Sequence, residues 1–406
     1  MKIGIVGLGY RLGYLARIVR HVVPEARFVG YVDPSPSGVT IPPGVIGIDP
    51  DGRPRDLPPE MHVPFDFGQS YETVTAMQKA EGLDLLMIGS PNHMHIGHIR
   101  EGLELGLKIF TEKPVVTTED DTFALLDLLK QSGSTDNVMI GLVLRYAPLY
   151  RDLVAARNDG TLGTITSIEA SEHIAPYHGA FFMRDWRRAT PWSGGFILEK
   201  CCHDIDLYQG LVGKRALRVA SFGGRKSFVP ENDPRREGIN NLEIYHVKPS
   251  GWMGTDKVFD SEGDIIDYQT ALAEFEDGSN LCFHTNLNVP DEYRRFAVMG
   301  SKGMAEGDFV RNFFRVHDSY TGKKLTDKSY SSSGLSVHYG ADEQMIGDIF
   351  AHLTDGRPLP VSIVDGLAAG LTAIKMDEAR ARRQVIDLTE TWKRFDSYGL
   401  GAYRAA

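Results

Sequence analysis

The segment that decides the fold stands at the start of the chain and reads Lys2-Ile3-Gly4-Ile5-Val6-Gly7-Leu8-Gly9-Tyr10-Arg11-Leu12-Gly13. Its apolar first half predicts a buried parallel strand, which runs directly into three spaced glycines. Gly7 permits a tight turn, and Gly9 lets the backbone approach a pyrophosphate. Gly13 comes one residue later than the G-x-G-x-x-G spacing requires. The segment favours a dinucleotide-binding turn, although glycine turns after strands also serve packing alone.

The residues that follow support a nucleotide site. Apolar residues recur with helical spacing over residues 14–20, and a helix there directs its free N–H groups at a bound phosphate. A second expected strand, over residues 27–32, ends at Asp33. A carboxylate at this place accepts hydrogen bonds from the ribose hydroxyls of NAD and repels the 2′-phosphate of NADP. Because no arginine follows in Pro34-Ser35-Pro36-Ser37, the sequence predicts NAD as the cofactor.

Length and charge limit the class of protein. The chain has 406 residues, enough for two domains, and its 42% hydrophobic and 24% charged residues are typical of globular proteins. A net charge of −10 disfavours nucleic acid or an anionic membrane as a partner. We expect no membrane span and no signal peptide, because the apolar runs are too short. Three cysteines make no disulfide framework, so we expect a cytoplasmic location with reduced thiols.

Two patterns of expected secondary structure divide the chain. As far as residue 144, expected strands (residues 83–89, 108–110 and 137–143) alternate with expected helices (71–79, 95–105 and from 119, capped by Thr118), which predicts an α/β domain with a doubly wound parallel sheet. A proline- and glycine-rich excursion interrupts it over residues 34–64. Residues 145–406 read as an α+β domain with an open, largely antiparallel sheet. We expect a hairpin through Asp277-Gly278-Ser279, a long loop region over 230–263, and closing helices at about 342–382.

Lys113 is the first candidate for chemistry. It follows the strand expected over residues 108–110, at the edge where open parallel sheets bind their ligands. Pro114 keeps the backbone at Lys113 extended, which fixes the direction of the side chain. The alternative is an ordinary surface lysine at a strand end. We favour an ammonium group that contacts substrate oxygen beside a nicotinamide.

A second candidate site lies in residues 194–206, which open with two glycines. If these residues form one helix, Glu199 and His203 lie at i and i+4 on one face. A carboxylate and an imidazole placed there bind a hydroxyl and accept its proton. The alternative is a histidine that is hydrogen-bonded within the core.

A metal site is the other use of these residue types. Cys201 and Cys202 are potential ligands, and so are His93, His95 and His98. Adjacent cysteines point about 100° apart on a helix, and the C-x-x-C spacing of a zinc site is absent. We therefore expect no metal and predict that the cysteines pack in the core.

The sequence resembles the Gfo/Idh/MocA oxidoreductases, the family of glucose–fructose oxidoreductase and inositol dehydrogenase. The resemblance covers most of the chain and rests on motifs in the same order: Gly7-Leu8-Gly9, Asp33, Pro91-Asn92-His93-Met94-His95, Glu112-Lys113-Pro114, Arg145-Tyr146, the glycine pair with His203 and Asp206, and Gly300-Ser301-Lys302-Gly303. It implies a Rossmann domain over residues 1–144 and an open-faced sheet domain over residues 145–406. It also implies that Lys113 lies between cofactor and substrate and that His203 is the catalytic acid/base.

The expected site residues follow from the motifs and the resemblance together. Besides Lys113 and His203, we count Glu199 as catalytic, because it orients His203 or holds a neighbouring hydroxyl. The expected cofactor-binding residues are Gly7, Leu8, Gly9, Tyr10, Arg11, Leu12, Asp33, Ser90, Pro91, Asn92, His95, Glu112 and Lys113. The expected substrate-binding residues are Arg145, Tyr146, Trp186, Arg187, Glu199, His203 and His338. Aromatic rings with charged neighbours suit a sugar, although tryptophans in the core would look the same.

The expected function is that of an NAD(H)-dependent dehydrogenase or reductase acting on a secondary alcohol or ketone of a sugar, polyol or sugar derivative. One alternative is a glycosidase of the same family, which oxidises transiently with retained NAD. Another is a non-catalytic dinucleotide-sensing regulator, which needs neither Lys113 nor His203. Many family members have aspartate at the place of Glu199 and glycine at that of Cys202, so the substrate cannot be carried over. The open sheet predicts a homodimer or homotetramer formed through residues 150–330.

Overall fold

The computed structural model describes residues 1–41, 47–48, 54–55, 59–133, 135–330 and 338–401. The strands of the first half are β1 (Lys2–Val6), β2 (Arg27–Val32), β3 (Gly47–Ile48), β4 (Pro54–Arg55), β5 (Gln69–Ser70), β6 (Leu85–Ile88), β7 (Lys108–Thr111) and β8 (Val138–Ile140). The helices of this half are α1 (Tyr10–Val22), α2 (Val74–Glu81), α3 (His95–Glu104) and α4 (Glu119–Ser132).

The first half contains the predicted parallel sheet. Six strands pair in the order β5-β2-β1-β6-β7-β8, and every pair is parallel. All four residues of β6 are buried, as expected for a strand that is covered on both faces. Thr118 caps α4 by accepting a hydrogen bond of 3.0 Å from the N–H of Asp121, which confirms the predicted cap. Much of the excursion over residues 34–64 lies outside the described residues; its described part includes the short β3–β4 pair.

The second half is built on a nine-stranded sheet. Its strands are β9 (Ile165–His173), β10 (Ala216–Gly224), β11 (Tyr268–Phe275), β12 (Asn280–Asn286), β13 (Tyr293–Gly300), β14 (Gly303–Asp308), β15 (Phe313–Asp318), β16 (Lys324–Ser329) and β17 (Ile386–Asp387). The order is β16-β15-β14-β13-β9-β12-β11-β10-β17. Only β9 and β12 pair parallel in this sheet as described, and the other neighbours are antiparallel, so the predicted sheet type is confirmed.

Helices cover one face of this sheet and leave the other open. The helices are α5 (Pro148–Asn158), α6 (Pro176–Arg184), α7 (Thr190–Ser193), α8 (Phe196–Glu199), α9 (Cys202–Val212), α10 (Ala341–Asp355), α11 (Ile363–Arg382) and α12 (Thr389–Asp396). The long helix α11 packs on β10 and α9. Burial alternates along β11 and β12, and on the open face Phe222 and Leu272 are 71% and 46% exposed. The predicted closing helices are α10 and α11.

The predicted loop region over residues 230–263 is fully described and is confirmed. Its only regular elements are three short 3₁₀ turns, at Pro230–Asn232, Pro234–Glu237 and Glu243–His246. The last turn packs against α6. No helix in the described part of the chain is both long and apolar enough to cross a bilayer.

Candidate active site

A glycine turn joins β1 to α1. Gly7 has a φ of +78°, and a Cβ there would lie 2.2 Å from the backbone nitrogen of Ser90, so only glycine allows this close approach. At Gly9, by contrast, a Cβ would meet no described atom within 4 Å. Gly9 is the N-cap of α1, and no side chain caps this helix. The free N–H groups of the first turn of α1 therefore face open space, which fits a bound pyrophosphate.

Gly13 and Asp33 complete this region. A Cβ at Gly13 would lie 2.3 Å from the carbonyl oxygen of Gly38, so the third glycine serves packing of α1 on the segment after β2. The Gly7 N–H donates to the carbonyl of Val32 at 3.0 Å, which places the end of β2 beside the turn. Asp33 follows directly, and its carboxylate accepts a hydrogen bond of 2.7 Å from the N–H of Ser35. The carboxylate of Asp33 therefore lies just after the strand end that contacts the glycine turn.

The remaining residues of the turn differ in what they can offer a ligand. Leu8 and Leu12 are buried in the core, so only their backbone groups can contact a cofactor. Tyr10 is partly exposed, and its hydroxyl is buried without a hydrogen-bond partner among the described residues. Burial raises the pKa of Tyr10 to about 12, which keeps the hydroxyl protonated as a donor.

Arg11 connects the turn to the second half of the chain. Its Nε lies 2.7 Å from Oε1 of Glu112, and its Nη1 lies 2.8 Å from Oδ1 of Asp342 in α10. Nδ1 of His338 lies 3.0 Å from the other oxygen of Asp342. Burial alone would raise the pKa of Asp342, but His338 and Arg11 hold it below its usual range. The predicted cofactor residue Arg11 and the predicted substrate residue His338 thus share the ionised carboxylate of Asp342.

The loop after β6 is held by polar contacts. Oγ of Ser90 lies 2.9 Å from Nδ1 of His98, and Asn92 donates from its amide to the carbonyl of Ser193 at 3.0 Å. The two ring nitrogens of His95 each lie 2.8 Å from a backbone carbonyl oxygen, those of Pro114 and Ser90. His95 is 1% exposed, and burial lowers its pKa to about 4. Pro91, between Ser90 and Asn92, is partly exposed. The loop is therefore fixed beside β7 and α7.

Lys113 and Glu199 form the centre of the site. Nζ of Lys113 donates to the carbonyl of Glu199 at 2.5 Å and lies 3.5 Å from its carboxylate Oε1. Nε of Arg187 donates to the same Oε1 at 2.8 Å, and its Nη1 pairs with Asp185 at 2.7 Å. Glu199 is 3% exposed; burial alone would raise its pKa, but Lys113 and Arg187 lower it to about 2. The carboxylate is therefore ionised at neutral pH.

Glu199 and His203 do not share one continuous helix, unlike the geometry considered from the sequence. The helix ends at Glu199 and resumes at Cys202. The carbonyl oxygen of Glu199 accepts a hydrogen bond from Nζ of Lys113. In an unbroken helix the same oxygen would accept a hydrogen bond from the N–H of His203. The contact with Lys113 therefore accounts for the break, and this contact is not visible in local sequence.

His203 is held neutral. It is 6% exposed, and burial, then Lys113 and Arg294, keep its pKa well below the usual value. Nδ1 of His203 is buried without a hydrogen-bond partner among the described residues, and the same is true of Oε2 of Glu199. Buried polar atoms in proteins are almost always hydrogen-bonded, so two such atoms in one site indicate a place for polar groups of a ligand.

Three of the predicted substrate-binding residues, Arg145, Tyr146 and Trp186, do not contact Lys113 directly. Arg145 is 2% exposed, and its Nε and Nη2 bind both carboxylate oxygens of Asp206, at 2.7 and 2.8 Å. Tyr146 is 1% exposed. Trp186 is 6% exposed, and its ring lies 4.3 Å from the guanidinium carbon of Arg187, so it supports that arginine. Their assignment as substrate-binding residues stays a prediction.

The adjacent cysteines are buried in α9 and just before it. Burial raises the pKa of both thiols, that of Cys202 to about 12, so both are protonated. In the described part of the chain, no three His, Cys, Asp or Glu side chains are grouped to hold a metal ion.

The sequence reasoning missed a set of buried charges behind Glu199. Lys200 pairs with Glu172 of β9 at 3.0 Å, and Arg294 of β13 pairs with Glu172 at 3.1 Å and with Asp204 at 2.5 Å. Lys248 and His178, discussed below, also lie near the site. The only local signal was the position of Lys200 and Asp204 in the glycine-led stretch, because the partners depend on the strand order of the second sheet.

Family comparisons place both halves of the chain in one group of proteins. Residues 1–141 match the Gfo/Idh/MocA model described as an oxidoreductase family, NAD-binding Rossmann fold. Residues 158–388 match the companion model described as an oxidoreductase family, C-terminal alpha/beta domain.

Individual relatives are distant but align over most of the chain. The oxidoreductase YteT of Bacillus subtilis is 23% identical over 370 residues, 81% of this chain and 85% of that protein. A D-xylose dehydrogenase of Paenarthrobacter nicotinovorans is 23% identical over 75% of this chain and 73% of its own length. A levoglucosan dehydrogenase, solved in complex with NADH and levoglucosan, superposes with a TM-score of 0.72 at 16% identity, over 96% of this chain and 99% of that one.

Proposed function

Because the chain belongs to the Gfo/Idh/MocA oxidoreductase family, we propose that it is an NAD(H)-dependent dehydrogenase or reductase of carbohydrates. The reaction interconverts a secondary alcohol and a ketone on a sugar, polyol or sugar derivative. Relatives named as dehydrogenases of D-xylose and levoglucosan support the carbohydrate class.

The proposal rests on one observation: the side chain of Lys113 contacts Glu199 close to His203. The site combines an ammonium group, a carboxylate that stays ionised and an imidazole that stays neutral. Oxidation of an alcohol requires a group that orients the hydroxyl and a base that accepts its proton. A neutral histidine at physiological pH is such a base.

The three side chains divide the work. His203 accepts the hydroxyl proton of the substrate, or donates it in the reverse direction. Lys113 orients the substrate oxygen and stabilises the negative charge that develops on it. Glu199 holds Lys113 in place and offers Oε2 to a neighbouring hydroxyl. Because Lys113 disfavours the imidazolium form, the same ammonium keeps His203 ready to accept a proton.

NAD is the proposed cofactor. The open space at Gly9 and the free N–H groups of α1 would hold its pyrophosphate, and Asp33 would accept from the ribose diol. Asn92, His95 and Glu112 shape the crevice between these groups and Lys113. When bound, the nicotinamide supplies the hydride acceptor.

The substrate site and the assembly follow from the same geometry. Arg187 and His338 reach the crevice from the second half of the chain, and the ring of Trp186 fixes Arg187. For the assembly we propose a homodimer or homotetramer. The support is the open face of the second sheet, where Phe222 of β10 and Leu272 of the neighbouring β11 are exposed.

A screen of sugars and cyclitols with NAD, read as absorbance of reduced nicotinamide, tests the proposal. We expect turnover of at least one compound by the wild-type protein and a loss of about a hundredfold or more in Lys113→Ala. A protein that binds NAD but supports no oxidation or reduction across the panel would contradict the proposal. Cleavage of a glycoside without net reduction of NAD would favour the glycosidase alternative.

A further inference from the structure

One wall of the candidate site carries a lysine that the proposed chemistry does not use. Lys248 lies in the segment over residues 230–263, and its carbonyl accepts a hydrogen bond from Arg184 of α6. Its Nζ lies 5.6 Å from the ring centre of Tyr177 and 5.9 Å from that of Phe181, both on α6. The ammonium of Lys248 therefore rests on the aromatic side of α6.

This wall leads directly to the catalytic groups. The guanidinium carbon of Arg187 lies 5.4 Å from the same Phe181 ring, and Arg187 binds the carboxylate of Glu199. Glu199 in turn contacts Lys113. Phe181, Arg187 and Glu199 thus form a chain of contacts between the ammonium of Lys248 and the ammonium of Lys113.

His178 provides independent evidence that Lys248 and Lys113 face the same space. It lies on α6, one residue after Tyr177. Burial lowers its pKa well below the usual value, and the next causes are the charges of Lys248, Lys200 and Lys113. Charges act in this way only over short distances, so His178 lies within electrostatic reach of both the lysine of the wall and the lysine of the reaction site.

Among the described residues Lys248 has no ion-pair partner, unlike its neighbours Arg187 and Lys200. Arg187 pairs with Asp185 and Glu199, and Lys200 pairs with Glu172. No carboxylate of the described residues lies within 4.0 Å of the Lys248 ammonium. Burial, followed by the charge of Lys200, lowers the pKa of Lys248 to about 8. A partly buried ammonium in these surroundings is stabilised by an anion.

Glu292 is the acidic residue whose charge affects the pKa of Lys248, but its carboxylate does not neutralise the ammonium. Its charge raises the pKa of Lys248, whereas Lys200 and Arg187 lower it, and the net direction is downward. Oε2 of Glu292 instead accepts a hydrogen bond from the hydroxyl of Tyr177 at 3.3 Å. Burial, then the charge of Glu172, raises the pKa of Glu292 itself.

We propose, building on the proposed function, that the substrate is an acidic sugar derivative whose carboxylate binds the ammonium of Lys248 while the reacting carbon lies at Lys113 and His203. One unpaired ammonium matches a carboxylate, which carries a single charge. A phosphate dianion is usually held by several donors, and the neighbouring cations Arg187 and Lys200 are already paired. The partly exposed ring of Phe181 offers an apolar surface to the C–H face of the sugar.

Matched substrate pairs test the proposal. Each pair consists of a neutral sugar and its uronic or aldonic acid, and kcat/KM is measured for wild type, Lys248→Met and Lys248→Arg. Methionine keeps the length and the ring contacts of Lys248 but removes the charge. We expect wild type to prefer the acid, and the acid-to-neutral ratio to fall about ten- to hundredfold in Lys248→Met, with partial rescue in Lys248→Arg. Lys257→Met, which removes an exposed charge from the same segment, is the control and should leave the ratio unchanged.

A binding measurement separates failure of this inference from failure of the proposed function. Calorimetry of the uronic acid against the NADH-loaded protein requires no turnover. Acid binding that Lys248→Met abolishes, without oxidation of any sugar, would keep the anion site and reject the dehydrogenase. Turnover of neutral sugars with an acid-to-neutral ratio that Lys248→Met does not move would reject the anion site and keep the dehydrogenase. No binding of any acid, or a preference for sugar phosphates in the same panel, would also overturn the carboxylate assignment.

Discussion

Lys113 and Glu199 join the two halves of the chain, with Nζ of the lysine 2.5 Å from the carbonyl oxygen of the glutamate and 3.5 Å from its Oε1. The contact places the ammonium where the helix is interrupted between α8 and α9. Oε1 is shared with Arg187, whereas Oε2 has no partner among the described residues. A substrate hydroxyl that binds Oε2 is therefore brought close to the ammonium that handles the reacting oxygen.

Lys113 and His203 should behave as one proton-transfer unit. Lys113→Ala and His203→Ala should each lose about two to four decades of turnover, because hydride can leave the substrate carbon only as the hydroxyl proton departs. The double variant should lose much less than the product of the two losses, since groups that act together are not additive. Single-turnover oxidation by the three variants measures this.

NAD affinity is the control for that series. Fluorescence titration should show that Lys113→Ala binds NAD to within a modest factor of wild type, because the glycine turn and Asp33 are unchanged. Near-normal turnover in either single variant would show that the residue concerned is not part of the chemistry.

Asp33 should set the preference for NAD over NADP. Asp33→Ser removes the carboxylate that accepts from the ribose diol and repels a 2′-phosphate, so the ratio of kcat/KM for NAD to that for NADP should fall about ten- to hundredfold. Asp66→Ser is the matched control, because exposed Asp66 likewise accepts from a backbone N–H two residues on, that of Gly68 at 2.9 Å. Equal or better turnover of NADP by wild type would reject the prediction.

His95 should make the protein less stable in acid. The unfolded chain binds a proton at this histidine near pH 6.5, whereas burial lowers the folded pKa to about 4. Between these values the unfolded state holds more protons, so the free energy of unfolding falls as the pH falls, by about 2 kcal/mol at pH 5. Chemical denaturation at pH 7.5 and pH 5 measures the loss.

His95→Gln should show a smaller loss between the two pH values than wild type. His21→Gln, at an exposed histidine of α1, should follow wild type. If His95→Gln loses as much stability in acid as wild type, the acid sensitivity lies elsewhere.

Leu272 should lie in a contact between copies of the chain. It sits on the open face of the second sheet, opposite Ala220 of β10 and Cys282 of β12. Leu272→Glu would bury an unpaired charge in such a contact, so the homodimer or homotetramer should dissociate at micromolar concentration in light scattering. Val63→Glu, which alters an exposed apolar residue in the first half, should not change the mass. A monomeric wild type would refute the assembly.

Arg145 should act on stability more than on substrate binding. Arg145→Met leaves the buried carboxylate of Asp206 without its partner, which should lower the free energy of unfolding by about 3–5 kcal/mol. The double variant Arg145→Met/Asp206→Asn should recover part of this loss, because no charge is then left unpaired. A stable single variant with a raised KM would instead support the substrate-binding role that the family resemblance implies.

The alternation of strands and helices in the first half was predictable because each strand–helix unit is determined by residues that are close together in the sequence. The cap at Thr118 and the turn at Gly7 depend only on side chains and dihedral angles within a few positions. The same reasoning found the closing helix α11, whose apolar residues recur over twenty positions. The domain boundary at residue 144 stays a prediction.

The break between α8 and α9 could not be predicted, because its cause lies 86 residues earlier, at Lys113. The buried set of Lys200, Glu172 and Arg294 likewise depends on β9 lying between β12 and β13. No local period encodes that strand order. Sequence reasoning therefore named candidate side chains for the chemistry, whose roles stay predictions, and missed the charges that surround them.

Arg11 has a consequence for engineering. It leaves the helix that faces the cofactor and pairs with Asp342, a carboxylate with no exposed surface in the other half of the chain. Lys375 of α11 and Glu119 of α4 make a second such link, at 2.7 Å. A chimaera that grafted the nucleotide-binding half of a relative onto this sheet would remove the arginine partner of Asp342 unless arginine came with the graft, and would leave this buried carboxylate to His338. The two halves are thus not interchangeable modules, and a cofactor swap in this chain is better made residue by residue.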